Sequence, residues 1–151
     1  MKNILFTIGL ILLFVSHSNA QSPDKDFVIV GAGSNDANLV QVQKRYAKKS
    51  NAYQIRETQV SPLKQIVKAL DGRTVQDLHI YLESKAGEVI FTYVSITSKN
   101  VNESGELIMK WKSAVKGKVV IHSQAVFTTP AGIELRQQLE NLSGLEFIMM
   151  R

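Results

Sequence analysis

The sequence predicts an α/β protein of three layers, a mostly parallel sheet with helices on both faces. Three observations carry this. Short runs rich in β-branched residues alternate with stretches whose apolar residues recur every three to four positions, and that alternation demands parallel strands joined by helical crossovers. The 151 residues are 44% hydrophobic, enough to bury a core without staples. There is no cysteine, which excludes disulfides, thiolate-held metal clusters and a cysteine nucleophile.

The start of the chain is expected to lie outside the fold. Lys2 precedes an apolar run from Ile4 to Val15, and Ser18 and Ala20 are the small residues that a signal-peptide cleavage site needs. The run is short of the roughly 20 residues of a membrane span. The expectation is a signal peptide at 1–20 cleaved after Ala20, a short lead at 21–26 and a single domain at 27–151. The mature chain would be secreted or periplasmic, with no membrane span. An uncleaved anchor is the alternative.

The first strand is the apolar run 26–31, ending at Gly31. Leu39, Val42 and Tyr46 at helical spacing predict a helix over 38–49, and 52–57 reads as a second strand. Ser61 as cap, Pro62 in the first turn and Leu63, Ile66, Val67 and Leu70 on one face predict the next helix, closed by Gly72. Residues 77–82 form a third strand. After the turn Lys85-Ala86-Gly87, residues 88–97 read as one further strand in a hairpin-like excursion. The polar stretch 98–105 reads as the most mobile loop. Ser104 is expected to cap a helix carrying Leu107, Ile108, Trp111 and Val115 and ending at Gly117. A strand at 118–122, a helix opened by Thr129-Pro130 and closed by Gly144, and a strand at 145–150 complete the order.

Chemistry on such sheets sits beyond the carboxyl ends of the strands, here at 31–36, 82–87 and 122–126. Gly31-Ala32-Gly33 begins a dinucleotide fingerprint, but Asp36 stands where the third glycine belongs, and its carboxylate would repel a pyrophosphate. A tight turn capped by Ser34, Asn35 or Asp36 is the plainer reading. Lys44, Arg45, Lys48 and Lys49 read first as the solvated face of an amphipathic helix. They are a weaker candidate for adhesion to anionic envelope polymers, and nucleic acid is not expected as a partner. His79 reads as a part-buried, hydrogen-bonded histidine. His122, with Ser84 or Ser123 and Glu83, supplies the ingredients of a hydrolase, but neither serine sits in a Gly-x-Ser-x-Gly elbow. Beyond Lys2's segment only His79 and His122 remain as histidines, which argues against a dedicated transition-metal site. No cofactor is implied.

Several of these pieces fall in one order. Ala69-Leu70-Asp71-Gly72-Arg73 ends the second helix, Leu78-His79-Ile80-Tyr81 begins the third strand, and Gly87 follows. Trp111 stands in the third helix, Ile121-His122-Ser123-Gln124 closes a strand, and Gly132 comes eight residues later. In this order the chain resembles the domain of unknown function family number 4347, which is similar in turn to the caspase-like cysteine peptidases. The resemblance implies a caspase-like (Rossmann-like) sheet and a secreted bacterial setting. It also places the catalytic-type histidine on Glu83, its glycine on Ser84 and the cysteine on Gln124. A caspase-like mechanism needs a thiolate and an imidazole to activate it, so the expectation is a catalytically inactive domain. Its remnant pocket would involve Glu83, Ser84, His122 and Gln124 and would serve a protein or envelope-polymer partner.

Overall fold

The computed structural model describes residues 25–32 and 36–151. The expected signal segment, most of the lead, and Gly33, Ser34 and Asn35 lie outside them. The chain order is β1 (Phe27–Val30), α1 (Ala37–Tyr46), β2 (Ala52–Gln54), α2 (Pro62–Leu70), β3 (Leu78–Tyr81), β4 (Glu83–Lys85), β5 (Glu88–Phe91) and β6 (Val94–Thr97). A 3-10 turn (Val101–Ser104), α3 (Gly105–Met109), α4 (Trp111–Ala114), β7 (Lys118–His122), α5 (Pro130–Ser143) and β8 (Glu146–Met150) follow. Five strands form one parallel sheet in the order β2-β1-β3-β7-β8, and β4-β5-β6 form a small antiparallel sheet. The three-layer α/β expectation holds.

Handedness explains the layers. The step from β1 to β2 runs one way along the sheet, and the steps to β3, β7 and β8 run the other way. Right-handed crossovers therefore place α1 on one face and the later helices on the opposite one. Packing follows suit. Val28 and Val30 are buried with Leu39 of α1. Phe27, Ile29, Leu78, Ile80, Val119, Ile121 and Phe147 join the larger core with Leu63, Ile66, Ile108, Trp111 and Leu135 from the other helices. The period-2 alternation of the strands sends neighbouring residues to these two different cores.

The helix ends match their local chemistry. Asp36 Oδ1 accepts the Asn38 N–H at 2.8 Å, Ser61 Oγ accepts that of Lys64 at 3.3 Å, and Thr129 Oγ1 accepts that of Gly132 at 3.2 Å. Pro62 and Pro130 sit in their first turns, where a missing N–H costs nothing. Gly144 closes α5 with φ of 65°, a left-handed conformation that glycine adopts freely.

Four expectations are corrected. Residues 88–97 are two strands, β5 and β6, reversed at Thr92-Tyr93, and β4 extends them to a three-stranded meander. This reversal lets Val89, Phe91 and Ile96 all reach the core. The stretch 98–105 is tethered: Val101 is fully buried, and the Asn100 side chain accepts the Thr97 N–H at 2.8 Å and donates to the Ser95 carbonyl at 2.9 Å. Ser104 makes no capping bond, and the helix expected from it is split into α3 and α4 at Lys110. Finally, α1 stops at Tyr46, so Lys48 and Lys49 follow it in a turn. Among the described residues, no helix is long and apolar enough to cross a membrane.

Candidate functional site

The loops after β1 and β3 leave in opposite directions, and open α/β sheets hold their crevice at such a point. A cleft of about 880 Å³ occupies it, lined by Asp36 and Leu39 on one side and by Glu83, Ser84, Lys85, His122, Ser123, Gln124 and Arg151 on the other. Thus Glu83, Ser84, His122 and Gln124, the four residues expected from the sequence, do line one cleft. They meet because β7 lies beside β3, with Tyr81 opposite His122.

Their hydrogen bonds pair serine with serine and histidine with histidine. Ser84 Oγ donates to Ser123 Oγ at 2.6 Å. Ser123 Oγ also accepts the N–H groups of Ala125 and Val126 at 3.2 and 3.1 Å, holding the turn that leads away from β7. The imidazole of His122 faces elsewhere. Its Nε2 lies 2.9 Å from His79 Nδ1, and its ring stacks on Tyr81 with centroids 3.8 Å apart and planes 9° from parallel. Among the described residues no hydrogen bond joins His122 to either serine. Residues adjacent along a strand point to opposite faces, so His122 joins the α1 side of the sheet while Ser123 turns into the loop.

Register explains the histidine pair. His79 and Tyr81 share a face of β3, and His122 stands opposite Tyr81 on β7. His79 is a part-buried, bonded histidine, as its place in the strand implies, and its Nε2 lies 3.5 Å from Asp26 Oδ2. Burial pushes the His122 imidazole down to about 4 from an ordinary 6.5, and the neighbouring His79 adds to the effect. The Tyr81 phenol is held above its usual range by burial first and by Tyr46 second. Lys44, Arg45, Lys48 and Lys49 are all exposed, a solvated face apart from the cleft.

This has a consequence for stability. An unfolded chain protonates His122 near 6.5, and the folded chain resists until about 4. The contribution is complete above pH 6.5 and is lost as the pH falls towards 4. The full shift would correspond to about 3 kcal/mol. The ring is only part-buried, and solvent screening reduces this to about 1–2 kcal/mol. Urea unfolding at pH 7.5 and 4.5, in metal-free buffer, should show the wild type losing that much more than His122→Gln. Equal losses would contradict it.

Sequence reasoning missed two features. Gln65, on the buried side of α2, is only 5% exposed and ties down the segment after β2. A polar residue among Leu63, Ile66 and Leu70 gives no signal of burial. Asp26 and Asp77, each just before a strand, flank His79. The spacing Asp77-x-His79 was the available hint.

A family model described as Domain of unknown function (DUF4347) matches residues 28–149. No curated protein and no solved structure matches the chain.

Proposed function

We propose, from the premise that this chain belongs to the DUF4347 family of domains of unknown function, that it is a secreted, catalytically inactive caspase-like domain that acts by binding through its strand-end cleft. One observation carries the reading. The hydroxyls of Ser84 and Ser123 bond to each other, while His122 is held by His79 and Tyr81. A nucleophile needs its base within hydrogen-bond reach, and here the two are separated. At the positions where the resemblance expects a cysteine and a histidine stand Gln124 and Glu83. A carboxamide does not attack a carbonyl, and a carboxylate is a weaker base than an imidazole.

The cleft suits recognition. Glu83 and Asp36 bring negative charge to a rim that also carries Lys85 and Arg151, a pattern complementary to a protein segment of mixed charge. A second reading, a hydrolase using Ser84 or Ser123 with His122 and Glu83, draws on the two backbone N–H groups directed at Ser123 Oγ. Such donors would stabilise an alkoxide, but among the described residues no hydrogen bond brings the His122 imidazole to that oxygen.

Two measurements separate these readings. The purified chain should remain unlabelled by a fluorophosphonate probe and should turn over neither peptide nor ester libraries. Immobilised chain should recover a partner from the extracellular or periplasmic fraction, and Glu83→Ala/Gln124→Ala should reduce recovery at least tenfold. Equal recovery would remove the cleft as the binding surface. Labelling at Ser84 or Ser123 that disappears in His122→Ala would establish the hydrolase instead.

A further inference from the structure

At the opposite, amino end of the central strands, register brings a second group of side chains together. Phe27 pairs with Leu78, and Leu78 with Val119. One step earlier stand Asp26, Asp77 and Lys118, all on the face that carries His79 two residues after Asp77. Asp26, Asp77 and His79 each offer one ligand atom, and these atoms all lie within 4.8 Å of one another.

We propose that Asp26, Asp77 and His79 form a binding site for a divalent transition-metal ion of the zinc class. The site lies at the opposite strand end from the cleft, to which His122 connects it, and does not rest on the binding role assigned there.

Spacing is the first support. His79 Nε2 and Asp26 Oδ2 are 3.5 Å apart. That is long for a direct hydrogen bond but close to the roughly 3.3 Å between donors that each lie about 2.0–2.1 Å from a tetrahedral ion. A small movement of the exposed Asp26 and part-buried Asp77 closes the set around one ion. Three protein ligands leave a fourth position for water.

The surroundings of the donors are the second support. Asp77 Oδ1 is occupied by the Lys118 N–H at 3.0 Å, which fixes the carboxylate and leaves Oδ2 as the oxygen for an ion. Lys118 Nζ lies 4.0 Å from that Oδ2 and is 40% exposed, so its flexible stem can swing aside. His79 Nδ1 faces His122 Nε2, outside the cluster. With an ion on Nε2, the remaining ring proton sits on Nδ1 and is donated to His122. A ligating histidine characteristically has such a partner, which fixes its tautomer and orientation. An imidazole beside two carboxylates selects zinc, manganese or cobalt over magnesium or calcium, which prefer oxygen donors alone. Counting histidines argues against a metal, but this set needs only one histidine, and carboxylates supply the rest.

The test uses the chain after chelator treatment and dialysis. Zn(II) should raise the thermal midpoint saturably, Mg(II) should not, and Co(II) should give a visible ligand-field absorption. Asp26→Asn and His79→Gln should each weaken affinity at least tenfold, and His122→Gln, which removes the outer partner, about tenfold. Glu134→Gln, exposed on α5 across the sheet, should leave it unchanged. Asp26 is exposed at its side chain, so Asp26→Asn folds and decides the matter even if His79→Gln does not. Neither stabilisation nor Co(II) absorption at millimolar metal would overturn the site. So would wild-type affinity in Asp26→Asn.

Discussion

Trp111→Ala is expected to lower stability by about 3–5 kcal/mol, the range for deleting a large buried aromatic. Trp111 is 1% exposed. Its ring packs on Phe147 of β8, with centroids 6.4 Å apart, in a cluster with Ile80, Val89, Phe91, Ile96, Ile108, Ile121 and Leu139. It therefore joins the parallel sheet, the β4-β5-β6 meander and α5 at one place. Its neighbours belong to separate elements already packed on one another, so relaxation around a deleted ring is partial and a cavity remains. Against a total stability of about 5–15 kcal/mol, thermal unfolding should shift down by about 10–20 °C. Trp111→Phe should cost far less. It keeps most of the ring, and the indole N–H has no hydrogen-bond partner to strand. A midpoint for Trp111→Ala within a few degrees of wild type would show that the meander packs on the core independently of this residue.

Trp111 also marks what the sequence reveals. It stands on a stripe with Leu107, Ile108 and Val115, and its burial follows from that spacing. The strands of the large sheet and the helices α2 and α5 were legible for the same reason, because long apolar periods end at unambiguous chemistry such as Ser61-Pro62 and Thr129-Pro130. The reversal at Thr92-Tyr93 was not. Thr92 adopts φ of 58°, a conformation rare for a β-branched residue, so no glycine or asparagine announces a turn inside a run of strand-forming residues. The turn forms because it delivers Val89, Phe91 and Ile96 to one core, a tertiary gain that local propensity does not report. The cleft was legible in its membership and illegible in its bonding. Alternation of strands and helices places Glu83, Ser84, His122 and Gln124 at neighbouring strand ends. Whether His122 meets a serine or His79 depends on the register that sets Tyr81 opposite His122, and register across a crossover leaves no mark in either strand alone.

Gln65→Leu is expected to cost about 2–4 kcal/mol and to open the segment 55–61 before the rest of the fold. The Gln65 side chain replaces secondary structure for that segment. Its Oε1 accepts the Arg56 N–H at 2.9 Å and the Tyr53 hydroxyl at 3.2 Å. Its Nε2 donates to the carbonyls of Arg56 and Val60, both at 2.9 Å. Leucine fills similar volume but strands one backbone N–H and two carbonyls, each costing about 1–3 kcal/mol when left unpaired and less where water can enter. Hydrogen exchange should therefore accelerate most at Arg56. Gln65→Glu separates bonding from size. One carboxylate oxygen can still accept from Arg56 and Tyr53, but the other must face two carbonyls with no proton to offer. At neutral pH this variant should be at least as unstable as Gln65→Leu. Protonation turns that oxygen into a donor, so Gln65→Glu should regain stability relative to Gln65→Leu as the pH falls through the carboxylate range. Two variants that fell in parallel with pH would mean that the amide fills space in the α2 layer without holding the segment after β2.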